Sequence, residues 1–307
     1  MSKKTANVTS NSALENKARS IFSVSSEQMA SKSMFLYINK MPFTMVVSGG
    51  VYELYSNEWN CKSVDKTFDP KSMNFVKKIK KYIKDHYVAM KFIDKDYKNS
   101  VIKYIDVNSK INVGDVFEDI CCLDIKNAYW QTAFLMGVIS EEIFNSGTSI
   151  DKITRLASLG SLAKKKEVYS FDGETYKLVE IIRSYETENI WFAICSRVSD
   201  IMQDLMKLLG DDFLFYWVDG IYFKRTEENI KKVTEFLHSC AYDLKEEQVS
   251  KVEFLKDHFN VYSTTGKEVK KFGWILGKKK SKSEMISIPE MKRALKVTSE
   301  ILREKDF

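Results

Sequence analysis

Phe213-Leu214-Phe215-Tyr216-Trp217-Val218-Asp219-Gly220-Ile221-Tyr222-Phe223 is an apolar run broken only by Asp219-Gly220. Two apolar segments joined by Asp-Gly are the strongest short-range signal for a β-hairpin, so the run reads as two buried strands with a carboxylate at their tip. A second carboxylate, Asp124, closes the apolar strand Ile120-Cys121-Cys122-Leu123. An acidic side chain at the end of a buried strand loses hydration unless something cationic compensates, and two such side chains point to a shared ligand. Divalent cations bridged by aspartates are the apparatus of in-line phosphoryl transfer. The plainer reading, in which Asp219-Gly220 is only a turn, stands beside it.

Working outward, residues 34–61 hold the apolar runs Met34–Ile38, Met45–Val47 and Val51–Tyr55 with Gly49-Gly50 between them, which predicts strands joined by turns. Residues 71–86 carry a helical period with basic faces, and 87–106 read as a strand pair around an Asp-Lys-Asp turn. From Asp119 the expected order is strand, helix (127–144), helix (149–166), hairpin around Asp172-Gly173, helix (187–209), hairpin around Asp219-Gly220, helix (226–246), and a β-rich stretch (249–276). The helix at 187–209 places Ile190, Phe192, Ile194, Val198, Ile201, Leu205 and Leu208 at helical spacing, a face to bury against a sheet. The fold class is α+β, an antiparallel sheet with helices on one face.

The chain has 307 residues, 44% apolar and 13% aromatic, enough for one large or two modest domains with real cores. Lysine and arginine number 48 against 42 acidic residues, a net charge of +6. The lysines are bunched at 77–81, 164–166, 270–271 and 278–280, as a groove tracking a phosphate backbone requires, although any single cluster is equally a solvated face. No apolar run reaches the length of about 18 residues that a membrane span needs, and residues 1–33 lack a signal-peptide core, so no membrane partner and a cytoplasmic location are expected. Five cysteines without metal-type spacing argue against a disulfide framework or a zinc site. His86, His238 and His258 are scattered, which supports neither a triad nor a histidine metal site.

Asp124-Ile125-Lys126-Asn127-Ala128-Tyr129 and Trp217-Val218-Asp219-Gly220-Ile221 resemble the first and third motifs of the family B DNA polymerase palm, of a minimal phage or mobile-element type. The likeness covers about 119–277. The first Asp of the family's third motif is Trp217 here and its Ser is Gly220, while the Asp on which the family mainly relies is Asp219. Lys270-Lys271-Phe272-Gly273 resembles the stretch that grips the primer end. Of the second motif, Lys152 and Gly160 keep the spacing, but Leu156, Ala157 and Leu159 stand where Asn, Ser and Tyr belong, and Arg155 and Lys164 compete with Lys152.

A composition rich in Ser, Asn, Lys and Ala marks 1–33 as a flexible or weakly helical leader, and the pattern of elements marks 34–115 as an N-terminal α+β subdomain; the resemblance implies a palm (116–277) with reduced fingers at about 140–168, and a C-terminal helix (278–307) as a vestigial thumb. It implies two Mg²⁺ or Mn²⁺ ions on Asp124, Asp219 and the Ile125 backbone. Lys126, Asn127, Ala128, Tyr129, Lys152 and Arg155 would meet the dNTP, with Tyr129 excluding a ribose 2′-hydroxyl. Tyr216, Trp217, Lys164, Lys165, Lys270 and Lys271 would hold the primer. The partners implied are DNA primer-template, dNTP and replication proteins, in the host cytoplasm if the source is viral. Glu53 with Asp65, or Asp94 with Asp96, form no Asp-x-Glu on a strand, so no proofreading exonuclease is expected. The alternatives are an inactive polymerase-derived nucleic-acid-binding or scaffold subunit, one fragment of a split polymerase, and an unrelated palm-type nucleotidyltransferase such as a primase.

Overall fold

In the computed structural model, which describes residues 21–48, 51–63, 70–87, 90, 95–256, 258–266 and 268–273, the quoted stretch is the hairpin β10 (Phe213–Trp217) and β11 (Gly220–Lys224). Ahead of it come β1 (Phe22–Val24), α1 (Ser26–Ile38), β2 (Phe43–Ser48), β3 (Val51–Ser56), β4 (Asn60–Ser63), α2 (Pro70–His86), β5 (Ile105–Val107), β6 (Val116–Glu118) and β7 (Ile120–Ile125). Then follow α3 (Ala128–Leu135), α4 (Glu141–Thr148), α5 (Lys152–Gly160), β8 (Lys166–Phe171), β9 (Tyr176–Ile182) and α6 (Tyr185–Leu209). After the hairpin come α7 (Glu227–Ser239), β12 (Leu244–Glu247), β13 (Val249–Phe254), β14 (His258–Ser263) and β15 (Glu268–Gly273). The class is α+β, and every strand pair is antiparallel except β1 with β4.

The chain divides into two units, and the division is not the one expected at 115/116. Among the described residues the first unit holds 21–63 and 164–184, and the second holds 70–163 and 185–273. The first is a six-stranded sheet, β1-β4-β3-β2-β8-β9. Met29 and Leu36 of α1 bury against Phe43, Met45, Leu54 and Phe171 in its core. Ladder hydrogen bonds decide the assignment: β2 pairs with β8 from Phe43↔Phe171 to Val47↔Glu167, which makes the 166–182 hairpin part of the first unit's sheet.

The second unit contains both carboxylates. Its five-stranded sheet runs β12-β7-β11-β10-β5, and a four-stranded sheet runs β15-β14-β13-β6. Cys121, Leu123 and Ile125 of β7 with Ile221 and Phe223 of β11 face Val198, Ile201, Met202 and Leu205 of α6 and Val233 and Leu237 of α7. Cys122, Phe215 and Tyr222 point the other way, against Val252, Phe254, Phe259 and Val261 of the smaller sheet. Burial on both faces explains why these strands read as continuous apolar runs, and each such side chain contributes about 1.5–3 kcal/mol. A third cluster joins Phe75, Ile79 and Ile83 of α2 to Trp130, Ile143, Leu159, Ile190 and Ile194. Among the described residues no helix is long and apolar enough to cross a membrane.

Several expected elements differ. Met34–Ile38 is the end of helix α1, so 26–33 is helical too; Ser25 Oγ accepts from the Gln28 N–H while Gln28 Oε1 accepts from the Ser25 N–H, a capping box that outweighs the aromatic run. The expected 127–144 helix breaks because Gly137, at φ 70, closes a Schellman turn in which the Val138 N–H donates to the Ala133 carbonyl at 2.8 Å. The 226–246 helix stops at Ser239 by the same device, with Ala241 at φ 61 and Tyr242 N–H on the Leu237 carbonyl, and 244–247 is strand. Among the described residues of 87–106, only the strand Ile105–Val107 begins within the expected strand pair. The basic helix at 149–166 shortens to α5 plus a 3₁₀ turn, Ser161–Ala163. Residues 1–20 and 278–307, with the leader and thumb expected there, lie outside the described residues.

The indole of Trp130 lies flat against α4 where Gly147 offers no side chain: a Cβ built at Gly147 would stand 2.3 Å from Trp130 Cζ2. Gly147→Ala is expected to lower stability by about 1–3 kcal/mol through overpacking, read as a lower urea midpoint.

Candidate active site

Asp124 sits next to last in β7 and lies across the ladder from Gly220, the first residue of β11. The Ile125 N–H donates to the Asp219 carbonyl at 3.0 Å, so the two carboxylate-bearing residues occupy neighbouring strand ends, one position out of register. A strand separation of about 5 Å and a rise of about 3.4 Å per residue put their α-carbons about 6 Å apart. Both side chains are half-buried. The central residues of the turn are Val218 and Asp219 rather than Asp219 and Gly220 as an Asp-Gly hairpin implies. Val218 carries the left-handed backbone, φ 59, an outlier for a β-branched side chain, and is held by its N–H on the Tyr104 carbonyl at 2.7 Å. Gly220 lies beside the carboxylate: a Cβ there would stand 3.4 Å from Asp124 Oδ1, an ordinary contact distance.

Immediately after β7 the chain turns into α3. Asn127 precedes the helix with φ 51 and makes no side-chain cap, leaving the first-turn N–H groups without a capping side chain. Its Oδ1 instead accepts from Arg155 Nη2 at 3.1 Å. Arg155 Nη1 donates to the Gly147 carbonyl at 2.9 Å and also to the Ile150 carbonyl, so one guanidinium ties the loop between α4 and α5 to the start of α3. Asp151 caps α5 through the Thr154 N–H at 2.9 Å and the Thr154 hydroxyl at 2.6 Å; those bonds hold its carboxyl below the usual range and fix where the helix begins. The next residue, Lys152, is exposed and makes no ion pair among the described residues.

These pieces surround one open cleft, lined by Asn127, Ala128, Tyr129, Trp130, Lys152, Arg155, Leu156 and Asp219. Five of the residues expected at a nucleotide thus share a cleft with one of the two carboxylates. Trp130 and Leu156 complete it without having been expected there, and no signal in the sequence separates them from core apolar residues. The Tyr129 ring stacks on Trp191 of α6 at 5.5 Å and 25°. Burial pushes its hydroxyl pKa far up, and the nearby Cys195 and Asp219 act in the same direction.

Other expected site residues fall elsewhere. The Lys126 N–H is used on the Asp243 carbonyl at 2.9 Å and the Ile125 N–H on the Asp219 carbonyl, so these two N–H groups of the backbone from Ile125 to Ala128 are already engaged within the protein. The Ile125 side chain is core, which restricts it to its backbone, and the Lys126 side chain is exposed. Tyr216 is fully buried, with its hydroxyl 3.5 Å from the Lys103 carbonyl; a strand covered on both faces has no side chain left to stack on a primer. Trp217 packs edge-on against Phe259 at 6.3 Å. Lys164 and Lys165 belong to the first unit, where Lys165 pairs with Glu167 at 2.5 Å. Partial desolvation, with Lys62 and Lys166 close by, pulls the Lys164 pKa down. Lys270 and Lys271 lie on β15 opposite Val261 and Asn260, and their side chains lie outside the described residues.

Among the described residues no group of three or more His, Cys, Asp or Glu side chains is arranged to hold a metal ion. Two adjacent half-buried carboxylates nevertheless suit Mg²⁺, a hard cation commonly bound through one or two carboxylates, with waters and substrate phosphates filling the remaining positions. No protein-family model matches the chain, and no curated protein is found to be similar to it.

Val218→Gly relieves the left-handed strain but frees the unfolded chain. Stability is expected to stay within about 1 kcal/mol of the parent, on the stabilised side, by urea denaturation.

Proposed function

We propose that this chain is a DNA-directed DNA polymerase that adds dNTPs to a primer 3′-hydroxyl and lacks a proofreading exonuclease. The observation that carries the reading is the placing of Asp124 and Asp219 on paired strand ends, with Asp219 in the same cleft as the start of α3 and Lys152. An enzyme that moves a phosphoryl group needs carboxylates where cations gather and positive groups where the leaving diphosphate ends, and here both occur in one unit.

In this reading the Asp124 and Asp219 carboxylates and the Ile125 backbone carbonyl would hold two Mg²⁺ or Mn²⁺ ions, which when bound would supply Lewis-acid chemistry to the attacking hydroxyl and the triphosphate. Lys152 projects free charge toward the phosphates, and the first-turn N–H groups of α3 add the positive end of a helix. Arg155, engaged with two carbonyls and Asn127, is a positioning residue that fixes the cleft wall. Tyr129 presents a ring immobilised by Trp191 as the wall beside the sugar, where a 2′-hydroxyl collides. Lys270 and Lys271 follow the small sheet and contact the primer backbone.

A second reading, an inactive polymerase-derived scaffold or one fragment of a split enzyme, is favoured by Trp217, which stands where the family carries another carboxylate and is packed on Phe259 instead.

Primer extension with purified protein, dNTPs and Mg²⁺ or Mn²⁺ separates the two. Incorporation is expected from the parent and lost by at least about a thousandfold in Asp124→Asn and Asp219→Ala. Primer-template binding without incorporation by the parent would favour the scaffold. Tyr129→Ala is expected to admit ribonucleotides, raising their relative incorporation by about tenfold to a hundredfold, an effect of 1–3 kcal/mol at a pocket wall; unchanged sugar discrimination would remove Tyr129 from that role.

A further inference from the structure

The longest edge strand among the described residues is β9, which closes one side of the first unit's sheet and pairs there with β8. All seven of its side chains are exposed, and Leu178, Val179, Ile181 and Ile182 each leave 42–46% of their surface in water. The other described edges are the three-residue strands β1, β5 and β6, the charged β12 and the six-residue β15. Natural sheets blunt their edges by shortness or charge, because a long apolar edge is a template for another strand. Lys177 and Glu180 are the only charges on β9, and they have opposite signs. Among the described residues neither makes an ion pair.

A bulge at Val179 decides which faces these charges occupy. Leu178 lies across the ladder from Tyr169 and Glu180 from Val168, so Val179 is the extra residue. Residues three apart on a regular strand point to opposite faces. Here the insertion returns Lys177 and Glu180, opposite Ser170 and Val168, to one face, and Tyr176 and Ile181, opposite Phe171 and Glu167, to the other. A twofold axis normal to the sheet keeps every residue on its own face, so a second β9 running antiparallel can set Lys177 against the other copy's Glu180 and Tyr176 against its Ile181. In that register Leu178 meets Val179 at the axis, and Glu174 meets Arg183 at each end. All four charged residues from 174 to 183 then oppose a charge of the other sign. A shift of one residue either way sets both Lys177 and Glu180 against apolar side chains.

We propose that β9 is a dimerisation edge on which a second copy of this chain docks antiparallel about a twofold axis, joining the two six-stranded sheets into one. The occupant is a second copy because the charge order Glu174, Lys177, Glu180, Arg183 is its own complement when reversed, which is what an isologous contact requires. Main-chain pairing along the edge supplies affinity and the facing charges supply register. One strand pair is a small interface, so the association is expected in the micromolar range. It is independent of the polymerase reading, since both candidate carboxylates belong to the second unit.

Sedimentation velocity of the full chain from about 1 to about 200 μM follows the monomer–dimer equilibrium. Lys177→Glu and Glu180→Lys each place like charges opposite one another twice in the dimer, and each is expected to weaken dimerisation by about tenfold or more. Both positions are exposed, so urea midpoints close to the parent's separate lost pairing from lost folding. An equimolar mixture of the two variants restores opposite charges at both positions, and the double variant Lys177→Glu, Glu180→Lys restores them within a homodimer. Both are expected to recover an affinity within about threefold of the parent's. A parent that stays monomeric at about 200 μM overturns the proposal and leaves the edge to a strand from a different protein. Dimerisation unmoved by either single variant overturns it as well, and so does weakening that the mixture or the double variant fails to repair.

Discussion

The ladder between β7 and β11 is the constraint on which the candidate site depends. It sets Gly220 opposite Asp124 and closes with the Ile125 N–H on the Asp219 carbonyl, bringing two carboxylates to neighbouring strand ends. Two carboxylates brought to neighbouring strand ends lose hydration and repel one another. The sheet withstands this because it is packed on both sides, with α6 and α7 on one face and the smaller sheet on the other. Either layer alone leaves an apolar face of β7, β10 and β11 in water. The strain at Val218 belongs to the same balance: the backbone that presents Asp219 is unfavourable for a β-branched residue and persists because the paired strands and the Tyr104 carbonyl overdetermine it.

Around this fixed pair the cleft is assembled from short helices that have little stability of their own. Helices α3, α4 and α5 span eight, eight and nine residues, below the length at which an isolated helix holds in water. Their positions come from side chains that cross between them: Trp130 lying on Gly147, Arg155 on the carbonyls of Gly147 and Ile150, and the Arg155–Asn127 hydrogen bond. Gly147 serves both arrangements, one through its missing side chain and the other through its carbonyl.

Much of the second unit was legible in the sequence because its periodicities are strong. The hairpin at 213–223, the helix near 187–209 and the strand before Asp124 follow from apolar spacing alone, and Asn127, Ala128, Tyr129, Lys152 and Arg155, expected around a nucleotide, line one cleft with Asp219. Local capping was harder to read: α1 begins in a side-chain exchange between Ser25 and Gln28 beneath a run that otherwise suits a strand, and α7 ends at Ser239 ahead of a left-handed Ala241, with neither Gly nor Pro to mark the stop. Tyr216 and Trp217 look available because the alternation of a half-buried strand exposes every second residue; a sheet covered on both faces removes that alternation. The division into units was hidden for a different reason. It depends on β2 choosing β8 as its partner, and no local pattern encodes a pairing between segments so far apart in the chain.

That pairing shapes how the chain is made. Strands β1 to β4 precede the second unit's strands, yet the open side of β2 stays without a neighbour until 166–171 has followed, after the first carboxylate strand and four helices have already left the ribosome. Closure of a loop this long carries an entropic penalty before any contact repays it, and an unpaired strand margin invites association with other nascent chains in the interval. The β1–β4 segment, although it precedes the second unit's strands in the chain, is therefore completed only after β8 has joined it.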